Sequence, residues 1–298
     1  MSELVDDFYT ARNLLYIGAY PQSLSNLSTL TRLSAEAAHE RDSLQYRAYL
    51  GQGNYQLVLD ELSATTQSPL LQAVRQLALQ QASQTTNDQA AEAVSGLVES
   101  QGGSTSAVFA AVGAQVLANA GQYPEALRLL AGHPRNLECV CVMVTVYLRM
   151  NRADLADKLM GRVRGWAEDA PLAQLAEAWT GVQVGGSKVS DAFYVFEELA
   201  QGASVTTVRM LNAMAATKMQ LGQYPEAGDL LQEASERDPS DPDTLANRLV
   251  LAGLTGKGKE TRSRLLGQLK AASPNHVVVA DLAAKEAEFD KLAAEFSK

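Results

Sequence analysis

Several residue groups in this chain carry types that could do chemistry. Gly256-Lys257-Gly258-Lys259-Glu260-Thr261 combines glycines, lysines and a hydroxyl, the materials of a phosphate-binding loop. It lacks the upstream glycine at the required spacing and a preceding strand, so it reads as an inter-helix turn. Adjacent carboxylates such as Glu197-Glu198 could act as general acid and base, but no nucleophile or histidine accompanies them. Cys139 and Cys141 are the two cysteines; on a helix, side chains two apart point about 200° apart, so they should not pair. A metal site needs more ligands nearby, and His39, His133 and His276 are scattered along the chain. The thiols therefore read as buried and structural, in a reducing compartment. Asn26-Leu27-Ser28 is a glycosylation sequon that falls in mid-helix, which favours a chance occurrence. Trp166 and Trp179 are expected in the core rather than around a ligand. Nothing converges on catalysis, and no metal or cofactor is expected.

The elements that position these residues are organised by a repeated hexapeptide. Gly121-Gln122-Tyr123-Pro124-Glu125-Ala126 recurs unchanged at Gly222-Gln223-Tyr224-Pro225-Glu226-Ala227, 101 residues later, and a looser copy begins at Gly18. Glycine supplies a turn with φ > 0. Proline suits the first helical position, where its missing N–H costs nothing. The alanine lets a neighbouring helix approach. Each copy therefore reads as the joint of a helical hairpin. Weaker joints at Gly53, Thr86, Asn151, Ser187 and Gly256 complete a ladder with a mean interval of 34 residues, a familiar repeat length. The small residues five places beyond the joints are Ser23, Val58, Ala91, Ala126, Ala156, Ala192, Ala227 and Thr261.

Composition agrees. Of 298 residues, 46% are hydrophobic and only 6% aromatic, which favours close-packed helices over a sandwich or barrel. No apolar run approaches 18 residues, so no membrane span is expected. Met1 to Asp7 is acidic and lacks the regions of a signal peptide, so a cytosolic protein is expected. With 34 acidic against 25 basic residues the net charge is −9, and no basic stripe is present to meet phosphates, so nucleic acid is not an expected partner.

The expected fold is all-α: a right-handed α-solenoid over residues 1–298, with about eight helix pairs and a capping helix over 275–296. The first helix is expected from Val5 to Ile17. Residues 101–106, rich in glycine and serine, read as a loop that could serve as a flexible joint. Leu282, Phe289, Leu292 and Phe296 place an apolar face on the terminal helix.

Counting Gly222 as position fifteen of a 34-residue unit puts Tyr224 at seventeen, Ala227 at twenty, Leu231 at twenty-four, Ala234 at twenty-seven and Pro239 at thirty-two. That pattern resembles the tetratricopeptide repeat. Leu211 stands where the large aromatic of the first helix is usual. Positions two, five, nine and twelve form the inner face of such a unit. They supply Arg209, Asn212, Ala216 and Met219 in this repeat, and Gln174, Glu177, Gly181 and Val184 in the preceding one. The candidate partner-binding residues are Gln174, Gly181, Val184, Asn212, Ala216 and Met219. The face is mixed and partly apolar. It suits a stable protein partner better than an acidic peptide tail, which needs a cluster of Lys, Arg and Asn.

A resemblance covering almost the whole chain narrows this. Phe8 to Tyr20 (FYTARNLLYIGAY), Tyr46-Arg47-Ala48-Tyr49-Leu50, Val58-Leu59-Asp60-Glu61 and Gln174-Leu175-Ala176-Glu177-Ala178-Trp179 resemble the epsilon subunit of coatomer. So do Gly185-Gly186-Ser187-Lys188 with Asp191 to Glu198, and Ala284 to Asp290, in the family's order and spacing. The resemblance implies a non-enzymatic component of the COPI vesicle coat, acting in Golgi-to-ER and intra-Golgi traffic. It implies a direct partner, the C-terminal region of the coatomer alpha subunit, and indirect association with the other coatomer subunits. The implied location is the cytoplasm and, peripherally and without membrane insertion, the Golgi membrane and COPI vesicles. The alternative is a cytosolic tetratricopeptide adaptor that binds the peptide tails of other proteins.

Overall fold

A computed structural model describes residues 7–31, 33–102, 105–202 and 206–296. Among the described residues there are seventeen helices and no strand. They alternate as first and second helices of hairpins. The pairs are α1 (Tyr9–Tyr16) with α2 (Tyr20–Ser28), α3 (Ala35–Gly51) with α4 (Tyr55–Glu61), and α5 (Pro69–Gln81) with α6 (Asn87–Ser100). Next come α7 (Ala107–Asn119) with α8 (Tyr123–Leu130), α9 (Leu137–Arg149) with α10 (Ala153–Ala167), and α11 (Pro171–Val184) with α12 (Ser187–Gly202). The last pairs are α13 (Val208–Gln220) with α14 (Tyr224–Arg237) and α15 (Pro242–Leu254) with α16 (Lys259–Ala272), followed by α17 (Val277–Phe296). The expected start at Val5 lies outside the described residues, as do residues 103 and 104 of the expected joint at 101–106.

One turn geometry recurs. Gly121 has φ 74°, and the amide of Gln122 beyond it donates to the carbonyl of Leu117 at 3.0 Å. This bond from the residue after the left-handed position back into the last helical turn satisfies a carbonyl that would otherwise lack a partner. Equivalent bonds close the hairpins at Gly18, Gly53, Asn151, Gly222 and Gly256. Two weak joints are displaced. In α5–α6 the left-handed residue is Ser83, and Thr86 instead caps α6 in a capping box with Gln89. In α11–α12 the left-handed residues are Gly185 and Gly186, and Ser187 already begins α12. The repeated prolines sit one place later than expected. Tyr123 and Tyr224 open their helices, and Pro124 and Pro225 follow, where an N–H is still not needed. Five first helices start differently: side chains of Ser34, Ser106, Asn136, Thr207 and Asp241 accept from the backbone N–H three residues on, while α5 and α11 open on Pro69 and Pro171.

The small residue beyond each joint is where paired helices meet. Ser23, Val58, Ala91, Ala126, Ala156, Ala192 and Ala227 are all buried; Thr261, in the last pair, is half-buried. Ser23 satisfies its hydroxyl by donating to the carbonyl of Ala11 on the facing helix at 2.8 Å.

Contacts divide the chain into two compact units, residues 1–205 and 206–298, where periodicity alone reads one superhelix over 1–298. In the first unit α7 is buried nearly all round, from Phe109 to Ala118, as a helix apolar on every side requires. Cys139 faces α7, its Sγ 3.1 Å from the carbonyl of Ala107, while Cys141 faces α11 and the carbonyl of Leu172. Trp179 packs on Phe196 with ring centroids 5.0 Å apart. Trp166 departs from expectation and is 47% exposed. The inward stripe of α10 is Ala156, Met160 and Val163, continued by Ala167, and Trp166 lies one residue, about 100°, off it.

In the second unit Met210, Leu211, Leu231 and Ala234 fill the α13–α14 core. Leu245, Ala246, Leu269 and Val279 form the last core, with Val278 packed against it. The first turn of α17 thus covers the end of α15 and α16, while Phe289, Leu292 and Phe296 are exposed. The phosphate-loop-like 256–261 is the turn into α16.

Ala227→Trp should overpack the α13–α14 crossing and cost about 1–3 kcal/mol or more. Glu226→Gln, exposed and one residue away, should stay within about 0.5 kcal/mol of wild type. Thermal melts of the two variants check this, and equal midpoints would show that the crossing point is misplaced.

Candidate interaction faces

The six candidate residues fall three in each unit. In the first unit Gln174 on α11 is half-buried and Val184, the last residue of α11, is exposed. Gly181 is buried: a Cβ there would stand 3.0 Å from the carbonyl oxygen of Lys188, so its role is the close approach of α12. In the second unit Ala216 is half-buried and Met219 is buried. Asn212 is buried and committed to its own fold. Its Nδ2 donates to Thr244 Oγ1 at 2.8 Å and lies within reach of Asp241 and the Val208 carbonyl, while its Oδ1 accepts from Asn247. Asp241 also caps α15; burial raises its pKa, against the lowering by hydrogen bonds from Thr244. Of the six, Val184 and Ala216 are the non-glycine residues that keep apolar side chains available. Val250, the position-nine counterpart of Ala216 on α15, is exposed as well and was not singled out.

The most developed polar arrangement lies elsewhere, inside the first unit. Its first helices pack in sequence, α1 on α3, α3 on α5, and so on to α11, and α1 also approaches α11. Across the interior Arg47 of α3 pairs with Glu138 of α9, residues 91 apart in sequence, with side chains about 10% exposed. Arg12 of α1 pairs with Glu40 of α3 and stacks over Phe8. Burial, then the Glu138 carboxylate, push the Tyr16 phenol well above its ordinary pKa. Burial, the largest single influence, disfavours the Arg47 cation, yet Glu138, Tyr16 and Glu40 together outweigh it and hold its pKa above the usual guanidinium value. Arg47 Nη1 and Ser43 Oγ, one turn apart on α3, are buried without a hydrogen-bond partner in the structure. These residues were not among the candidates, though a signal existed. By the same register rule Arg12 and Arg47 are position-nine residues, charged where the later repeats are apolar or neutral, and Glu138 is a position-two residue.

Chemically this cluster binds charge to charge and holds helices; it contains no nucleophile–base pair. Among the described residues no group of three or more His, Cys, Asp or Glu could hold a metal. No described helix is long and apolar enough to cross a membrane.

The family model of the coatomer epsilon subunit matches residues 4–297. The chain belongs to the coatomer epsilon subunit family. It is 33% identical to coatomer subunit epsilon-1 of Arabidopsis thaliana over 293 residues, 98% of each chain. It is 31% identical to coatomer subunit epsilon of Caenorhabditis elegans, over 98% of this chain and 99% of that one. Among solved structures it is similar to a chain of the APC/C hetero-tetramer Cut9–Hcn1, with TM-score 0.61 and 13% identity over 92% of this chain and 54% of that chain. A tetratricopeptide repeat protein from Parabacteroides merdae ATCC 43184 gives TM-score 0.58 and 12% identity over 93% and 97% of the two chains. At such identities the structural likeness speaks for the fold alone. In this epsilon-family chain the segments that carry the sequence resemblance include Arg12, Tyr16 and Arg47 of the interior cluster.

Removing one partner of a buried ion pair strands the other charge. Glu138→Ala should therefore destabilise the first unit by about 3–5 kcal/mol. Because Arg47 Nη1 is already unpartnered, the pair is poorly compensated, and Arg47→Met with Glu138→Leu should lie near wild type or above it. Denaturant melts of the single and double variants check this, and additive losses would overturn it. The cysteines give a pH dependence. Burial, assisted by Glu138, pushes both thiols up to about 12. Above the unfolded thiol pKa the unfolded state loses protons that the folded state keeps, so stability falls as pH rises from about 9 towards 12. The Cys139→Ala, Cys141→Ala double variant should show a shallower fall in melting temperature over that range.

Proposed function

We propose that this chain is a non-enzymatic structural subunit of the COPI coat that binds and stabilises the C-terminal region of the coatomer alpha subunit. Through that partner it associates with the other coatomer subunits, in Golgi-to-ER and intra-Golgi transport. It acts from the cytoplasm and peripherally at the Golgi membrane and COPI vesicles, without inserting into the bilayer or binding nucleic acid. The observation that carries this is the family match across 4–297, which spans both units. A net charge of −9 and a fold of packed helix hairpins support a protein-binding scaffold.

The residues proposed to form the binding faces are Gln174, Gly181 and Val184 on the first unit and, on the second, Asn212, Ala216 and Met219. Val184 and Ala216 would touch the partner; Gly181, Asn212 and Met219 would act by shaping the helices beneath it. An interface of this kind should exceed the standard size of roughly 1,600 Å², with an apolar centre and a polar rim. The adaptor alternative draws less support, because the Asn212 amide that would clamp a carboxylate is already taken up within its own unit.

Co-expression with the alpha subunit's C-terminal region, followed by size-exclusion chromatography at micromolar concentration, is the test. Co-elution is expected, and separate elution would overturn the coat assignment. Val184→Glu and Ala216→Glu should each weaken the complex by about tenfold or more with little change in melting temperature. Met219→Glu buries a charge and should lower the melting temperature itself. Co-elution that neither surface variant weakens would leave the assignment in place and refute the chosen face.

A further inference from the structure

The exposed part of α17 has a pattern that the core does not use. Val278, Leu282, Lys285, Phe289, Leu292 and Phe296 recur at alternating spacings of four and three residues, the a/d seam of a coiled coil. Only the start of this seam is covered, where Val278 packs on the α15–α16 core. Further along, Phe289 is 72%, Leu292 46% and Phe296 89% exposed. Two large aromatics at a positions, left in water on a helix that is otherwise alanine and charge, are an unpartnered face. The flanks indicate the occupant. The g positions are Asp281, Glu288 and Glu295, and one e position is Glu286. The seam lysine, Lys285, is drawn off to Asp281.

We propose that α17 is one strand of a two-helix coiled coil completed by an amphipathic helix of a different protein, apolar along its own seam and carrying Lys or Arg on its flanks. A second copy of this chain fits poorly in either direction. Parallel pairing sets Asp281 against Glu286 of the other copy; antiparallel pairing sets g-position acids against each other. Lys285 would also meet another lysine or an apolar side chain. An anionic membrane surface is repelled by the same acids. A basic-flanked partner helix satisfies all of these groups and buries both phenylalanines. The inference rests on α17 alone and does not require the coat assignment.

The test uses the full chain and two fluorescent synthetic peptides of about three heptads, with Leu at a and d and either Lys or Glu at e and g. Anisotropy should show the Lys peptide binding at micromolar concentration and the Glu peptide at least tenfold weaker. The gap should narrow between about 50 and about 500 mM salt. Phe289→Glu should abolish binding of the Lys peptide while leaving the melting temperature unchanged, since Phe289 is exposed. That variant adds an acid, so plain charge attraction would strengthen rather than vanish. No binding, equal binding of both peptides, or binding indifferent to Phe289→Glu would overturn the proposal. So would sedimentation showing a dimer of this chain that Phe289→Glu dissolves, or Phe289-dependent adsorption to phosphatidylserine vesicles.

Discussion

The structure depends on how closely two helices can cross one turn after a left-handed residue. The left-handed position and its back-donated amide fix where the first helix stops and how the chain reverses. Five residues past each sequence joint, a small or β-branched side chain is pressed against the facing helix, fully buried from Ser23 to Ala227. A hairpin made this way cannot bury its remaining apolar stripe alone, so each pair must stack on the next, and the core runs on from pair to pair. Where the small residue is only half-buried, at Thr261, the second helix is also the more solvated one, with Leu265 and Leu269 its buried residues.

The same stacking accounts for the absence of convergent chemistry among the described residues. First helices come together along their length, so residues at one register position form a row rather than a pocket. In the first unit that row closes on itself as α1 reaches α11, and Arg47 and Glu138 meet across it. A buried pair with an unpartnered Nη1 contributes little net stability. In the second unit the corresponding row is Ala216 and Val250, small and apolar, with Asn212, Asp241, Thr244 and Asn247 tying α13 to α15.

The sequence by itself determined what depends on neighbours a few residues away. The hexapeptide copies located the strongest joints; period-3.6 stripes located the helices; Pro, Ser, Thr and Asn marked their starts. The opposed directions of Cys139 and Cys141 followed from helix geometry alone. The glycine turn at 184–188 was legible as well, with Gly185 and Gly186 taking the positive φ, and the error at a joint was local and small: the left-handed residue is Ser83, three places before Thr86. Tertiary structure alone decided the rest. Whether α1 meets α11, whether Arg47 finds Glu138, and whether Asn212 faces a partner or its own neighbours depend on small rotations accumulated over successive repeats. No short stretch of sequence encodes that sum. Trp166 and Trp179 show both sides with one residue type. Trp179 packs on Phe196, a contact made by the helix that arrives opposite, whereas Trp166 stands off the Ala156–Met160–Val163 stripe of its own helix, an offset that the helical period already contains.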